Sequence, residues 1–290
     1  MVIMQKAVTP ALSHAYLTQG YDRFAGFCVR AEDIAFATTP ALLYGAHALS
    51  YPGSPFRSDA AWIDILRFDA APRLQFEPAR EHLLPLWWMR HTRVVPGAEL
   101  IRVFADRTSV LLARYGDIGT GWVATTMPAA LQRRAALSRC VGPVASYHGA
   151  YVEADLLDEG RGIAIALVNP PLSENGFQPT PAGRWRKVVP AHLLDDVFEL
   201  SITASWAGLP VRVVDQWEDA SREITFRVSS IGHDDDLARA LRLEQIEAGV
   251  WEGSVPASQL TDLQTIQLRP SPPVTPARGN PSVGQRAYAS

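Results

Sequence analysis

Short, mostly apolar runs bounded by turn residues punctuate this chain, and they predict strands more often than helices. Trp62-Ile-Asp-Ile-Leu-Arg-Phe68, rich in aromatic and β-branched residues, reads as a strand. Glu99–Phe104 and Ser109–Tyr115 read as strands too, and the polar turn Ala105-Asp-Arg-Thr108 between them predicts a hairpin. Helical signals are fewer. Thr39-Pro40 supplies a cap and a first-turn proline for a helix through Ala41–Leu49, and Tyr51-Pro-Gly-Ser-Pro55 is a turn cluster. Pro128–Cys140 is rich in Ala, Leu and Arg and is halted by Gly142-Pro143, which predicts a helix linking two regions. From Arg269 to Ser290 five of 22 residues are proline and no apolar period survives, so this tail is expected to be disordered. The expected organisation is therefore an α+β, β-rich protein of two domains. Residues 1–127 form a mixed domain, 128–142 a linking helix, 143–268 a strand-rich domain and 269–290 a tail.

Self-comparison adds a repeat. Ala182-Gly-Arg-Trp-Arg-Lys-Val-Val-Pro-Ala-His-Leu-Leu-Asp-Asp-Val197 recurs without a gap as Ala248-Gly-Val-Trp-Glu-Gly-Ser-Val-Pro-Ala-Ser-Gln-Leu-Thr-Asp-Leu263, with eight identities in sixteen positions. Upstream, Gly149-Ala-Tyr-Val resembles Gly208-Leu-Pro-Val at an offset of 59 rather than 66 residues, so the second copy must carry extra residues between the two phrases. Two tandem strand-rich units follow, at about 149–197 and 208–263, expected to be related by a pseudo-twofold axis. The shared residues build structure. Gly183 and Gly249 permit a turn, Trp185 and Trp251 anchor apolar surface, Pro190 and Pro256 open a helical turn, and Asp196 and Asp262 cap backbone groups.

Composition narrows the function classes. The 290 residues are 47% hydrophobic and 20% charged, with a net charge of −3 spread along the chain, which excludes wholesale disorder and a basic nucleic-acid surface. No apolar run approaches the roughly 18 residues of a membrane span, the first residues lack the apolar stretch of a secretion signal, and two unrelated cysteines make no disulfide framework. A cytoplasmic location is expected.

Motifs for catalysis are sparse. No Gly-x-Ser-x-Gly occurs, the histidines lack metal-ligand spacing, and Gly116–Gly121 is glycine-patterned without a following helix, so neither a metal nor a bound cofactor is expected. His233-Asp-Asp-Asp236 reads as a loop whose last Asp caps a helix starting at Leu237, with Asp234 and Asp235 free to meet a partner. Trp87-Trp88, followed by His91 and Arg93, has the composition of a binding hot spot, with one tryptophan buried and the other presented if the segment is a strand. Tyr21–Phe27 reads mainly as core. The alternative is a cleft in which Arg23 and Arg67 hold the phosphates of a dinucleotide and Glu32 acts on the ribose, making the first domain an enzyme that processes NAD or ADP-ribose.

The phrase Gly183-Arg-Trp-Arg-Lys-Val-Val-Pro190 with Leu194 and Asp196, and its recurrence at Gly249–Pro256 with Leu260 and Asp262, resembles actinobacterial proteins of polymorphic-toxin loci. These are associated with the tuberculosis necrotizing toxin type of NAD glycohydrolase and its immunity partners. The resemblance implies a non-catalytic protein that binds another protein, most concretely an immunity factor covering a toxin's active site. It transfers no functional residue. A scaffold that self-associates through the repeat region is a third reading.

Overall fold

The computed structural model describes residues 2–71, 73–79, 84–125, 140–157, 161–171, 176–218, 222–232 and 234–269. The expected linking helix falls largely, and the tail almost wholly, outside these. The chain is strand-rich, and its strands form two antiparallel sheets.

The first sheet holds β1 (Ile3–Val8), β2 (Arg23–Arg30), β3 (Trp62–Asp69), β4 (Phe76–Pro78), β5 (Trp87–Arg93), β6 (Glu99–Phe104), β7 (Ser109–Tyr115) and β8 (Trp122–Ala124), in the order 4-5-2-1-3-6-7-8. The expected β6–β7 hairpin pairs as Glu99↔Arg114 through Val103↔Ser109. Helix α1 (Pro10–Gln19) is capped by the Thr9 hydroxyl, which accepts from the Leu12 amide at 3.2 Å. It buries Leu12 and Tyr16 against Phe24, Leu66, Phe68 and Trp122. Helix α2 (Pro40–Ala46) has the predicted Thr39 cap but stops three residues early, and buries Leu43 and Ala46 against Ile63 and Ile65.

The second sheet holds β9 (Pro143–Tyr147), β10 (Ala150–Leu157), β11 (Gly162–Leu167), β12 (Gln178–Pro179), β13 (Trp185–Pro190), β14 (Asp196–Trp206), β15 (Leu209–Glu218), β16 (Ile224–Ser230), β17 (Glu244–Glu247), β18 (Val250–Pro256) and β19 (Thr261–Leu268). Its order is 12-13-11-10-9-14-15-16-18-17. Strand β14 pairs with β9 through Asp196–Glu199 and with β15 through Ile202–Trp206, while β19 lies along its other edge. Helix α3 (Asp235–Ala240) covers the face carrying Val211, Val213, Val228 and Trp251. Its cap is Asp234, not Asp236 as the sequence suggested: the Asp234 carboxylate accepts from the Leu237 amide at 2.9 Å, so the helix starts two residues earlier.

Pairings recur along this sheet. Gln178↔Arg186 and Pro179↔Trp185 are followed, 66 residues on, by Glu244↔Glu252 and Gln245↔Trp251. Ala150↔Tyr147 and Tyr151↔Ser146 are followed, 59 residues on, by Leu209↔Trp206 and Pro210↔Ser205. His148-Gly149 and Ala207-Gly208 turn these two hairpins with positive φ at both central residues, the geometry that matches strand twist. After Pro190 and Pro256 the chain makes a single 3-10 turn, Ala191–Leu193 and Ala257–Gln259.

Charge joins the two sheets. Arg23 and Arg93 face each other across β2 and β5, and each reaches one of two corresponding strands. Arg93 donates to the Ala154 carbonyl at 2.8 Å and lies 3.4 Å from Asp155 on β10. Arg23 donates to the Val214 carbonyl at 2.9 Å and pairs with Asp215 at 3.2 Å on β15. Between them Glu199 accepts from Thr92 at 2.8 Å and from Arg212 at 2.9 Å, with Arg73 at 3.6 Å. Lys6–Glu247 and Arg186–Asp117 close the junction at its ends. Gly142 exists for this packing, since a Cβ there would sit 2.6 Å from the Arg93 side chain and its φ is +78°.

Removing one member of a buried pair leaves the other charge uncompensated, which costs about 3–5 kcal/mol. Arg93→Ala, which strands Asp155, is therefore expected to lower unfolding stability by that amount in urea titration. Arg57→Ala, which opens the exposed and solvent-screened Arg57–Asp59 pair, should leave the urea midpoint essentially unchanged.

Candidate functional site

The three residues of the enzyme reading do not meet. Arg23 is buried in the junction, Glu32 is exposed and lies 3.6 Å from Arg30, and Arg67 is exposed and donates to Gln5 at 2.9 Å. The residues proposed for partner contact are also dispersed. Trp88 is buried, with its ring edge-on to Phe27 at 4.9 Å and against Val250. Arg93 is buried as described. Trp87 is half-buried, with the Arg30 guanidinium 6.0 Å from its ring centre. Asp234 and Asp235 are exposed, but Asp234 caps α3 and Asp235 accepts from the Trp251 indole at 2.7 Å.

The Trp turns face inward. A Cβ at Gly249 (φ +66°) would lie 3.1 Å from Trp88, so this turn is pressed onto β5. In the corresponding turn Arg184 donates to the Ile118 carbonyl, and Thr180 donates to the Gly119 carbonyl at 2.7 Å. The Gly116–Gly121 loop is folded around its own Asp117, which accepts from the Gly119 amide at 2.9 Å and pairs with Arg186. Trp251 is buried under α3 and Trp185 is half-buried on β13. Asp196 pairs with Arg269 at 2.7 Å, whereas Asp262 is exposed with φ +53°.

Among the described residues, concavities touch titratable groups at Asp64 and at Glu247. One of about 160 Å³ is lined by Val8, Pro10, Phe56, Arg57 and Trp62, with Asp64 at its floor. Both oxygens of Asp64 already accept hydrogen bonds, from Ser13 at 2.6 Å and from Arg102 at 2.8 and 3.0 Å. The other, of about 20 Å³, lies between the sheets among Lys6, His47, Tyr51 and Glu247. Both fall below the roughly 300–1,000 Å³ of small-molecule sites. Among the described residues no cluster of three or more His, Cys, Asp and Glu could hold a metal ion, and no helix is long and apolar enough to cross a membrane.

Sequence reasoning missed what the surface does present. Trp217, opposite Thr225 near the β15–β16 connection, is 41% exposed, and Glu218 and Ile224 beside it are exposed too. Strand β19 is exposed at every residue from Thr261 to Gln267. No family model, curated protein or solved structure matches this chain.

Burial also fixes protonation. His47 is enclosed near the Lys6 ammonium, and desolvation pulls its ring down to about 3. Folding therefore favours neutral His47. That contribution is complete above the unfolded value of about 6.5 and is lost as pH falls toward 3, at about 1.4 kcal/mol per unit. His47→Gln should flatten the stability profile between pH 6 and 4 by that slope relative to wild type, measured by urea unfolding at each pH. Asp155, pushed up to about 6 by burial, acts in the opposite sense in both proteins and cancels in the comparison.

Proposed function

We propose that this chain is a cytoplasmic, non-catalytic protein-binding protein, most concretely an immunity factor that neutralises a toxin by covering its active site. Its frame is two domains, the second made of two tandem units at about 149–197 and 208–263. The pairings that recur at offsets of 59 and 66 residues support the tandem reading. The observation that carries the functional reading is Trp217. A tryptophan exposed near the β15–β16 connection is the kind of anchor that supplies most of a protein interface's affinity once desolvated. The arginines and carboxylates that could serve a substrate are instead held in pairs between the sheets.

The immunity version rests on the sequence resemblance; it requires a toxin gene beside this one and is tested with that toxin. The two proteins should co-purify, and the complex should lose NAD glycohydrolase activity. Trp217→Ala, with an unchanged circular dichroism spectrum, should weaken binding about 30-fold, the equivalent of about 2 kcal/mol. Absence of a complex, or hydrolysis of NAD by the purified chain alone, overturns the proposal.

A further inference from the structure

We infer that the outer face of the second sheet at Trp185 and Lys187 docks an acidic, leucine-bearing amphipathic helix of a partner protein. The two halves of this sheet can be compared residue by residue, because their register recurs. Ala154↔Ile165 and Ile165↔Lys187 recur as Val213↔Val228 and Val228↔Gly253. Ile163↔Val189 recurs as Phe226↔Val255. Trp185 thus corresponds to Trp251 and Lys187 to Gly253, while Phe177, just before β12, corresponds to Leu243, just before β17. Trp185 and Trp251 point away from the first sheet, because the residues that alternate with them point toward it: Arg186 pairs with Asp117, and Glu252 lies 3.6 Å from His91.

The later of these faces has its own helix. Within residues 231–242 the chain lays α3 across it, and Leu237, Ala238 and Leu241 pack with Trp251 in one apolar cluster. The Asp235 carboxylate accepts from the Trp251 indole at 2.7 Å, and Trp251 and Leu243 are left only 5% and 6% exposed. The described residues of the corresponding connection, 168–171 and 176–177, contain no helix. Trp185 and Phe177 are half-buried, and the Trp185 ring lies outside the buried cluster of Ala145, Val152, Ile163 and Ile165.

The occupant is read from α3, corrected for the one position whose chemistry changes. Gly253 leaves room for Leu243, with which a Cβ there would collide. Lys187 stands in its place. Its ammonium donates to the Tyr147 hydroxyl at 2.8 Å and lies 5.4 and 5.9 Å from the Tyr147 and Phe177 ring centres. The face at Trp185 therefore joins aromatic rings to a positive charge. A helix built like α3 answers both. Leucines four residues apart share one helix face and meet the rings, the recurring mode of helix-in-groove recognition. Acids in its first turn, where α3 carries Asp235 and Asp236, meet the ammonium.

The probe is a peptide of residues 234–243, held helical by a hydrocarbon staple on the face away from Leu237 and Leu241 and labelled with fluorescein. It is titrated with the full-length chain and read by fluorescence anisotropy. Saturable binding is expected. Trp185→Ala and Lys187→Glu should each weaken it at least about tenfold, with circular dichroism spectra like that of the wild type. Lys187→Glu keeps the test decisive if Trp185→Ala does not fold. A peptide carrying Leu237→Asp and Leu241→Asp should not bind. Trp217→Ala should leave binding unchanged, which separates this face from the anchor of the proposed function. Three results overturn the inference: no saturable binding by the wild type, binding that Lys187→Glu leaves intact, or binding that survives loss of both leucines from the peptide.

Discussion

A guanidinium can be withdrawn from water only where carbonyls and carboxylates replace its hydration. This chain meets that condition chiefly where its two sheets touch. The side chains of Arg23, Arg73, Arg93 and Arg212 are all buried there, and each finds an acceptor on the opposite sheet, its own sheet or both. The junction is thus polar and directional, unlike an apolar contact that tolerates sliding. A guanidinium with two or three fixed acceptors accepts one angle and one register of the strands that supply them. The relative position of the sheets follows from Arg23 and Arg93 more than from the small apolar patch of Ala25, Trp88 and Val250 beside them.

The same arrangement explains why the charged residues do so little at the surface. Arg23 and Arg93, opposite one another in the first sheet, take hold of β10 and β15, which begin after the two equivalent hairpin turns at Gly149 and Gly208. Two corresponding strands of one sheet are clasped by one cross-strand pair of the other. Asp155, Asp215, Glu199 and Glu247 are the acceptors of that clasp. What remains for a partner is the outer surface, where a tryptophan near the β15–β16 connection and strand β19 are exposed.

Sequence alone determined the local structure. Short runs of aromatic and β-branched residues placed β3, β6 and β7, Thr39-Pro40 placed the start of α2, and the phrase shared by residues 182–197 and 248–263 marked two stretches with the same strand pairing and the same 3-10 turn. These signals are local because backbone preference, capping and face alternation act over a few residues. Whether a charged or aromatic side chain ends inside or outside depends on residues far along the chain, and here only the tertiary structure decided. Trp88 and Arg93 have the composition of a surface hot spot, yet β10, β15 and β18 bury them. Trp217 sits in an unremarkable stretch of sequence and is exposed because its strand runs on past the edge of the core. The Gly-x-Trp turns look like a display surface, but they press against the first sheet, because the groups that accept them lie more than sixty residues away in sequence.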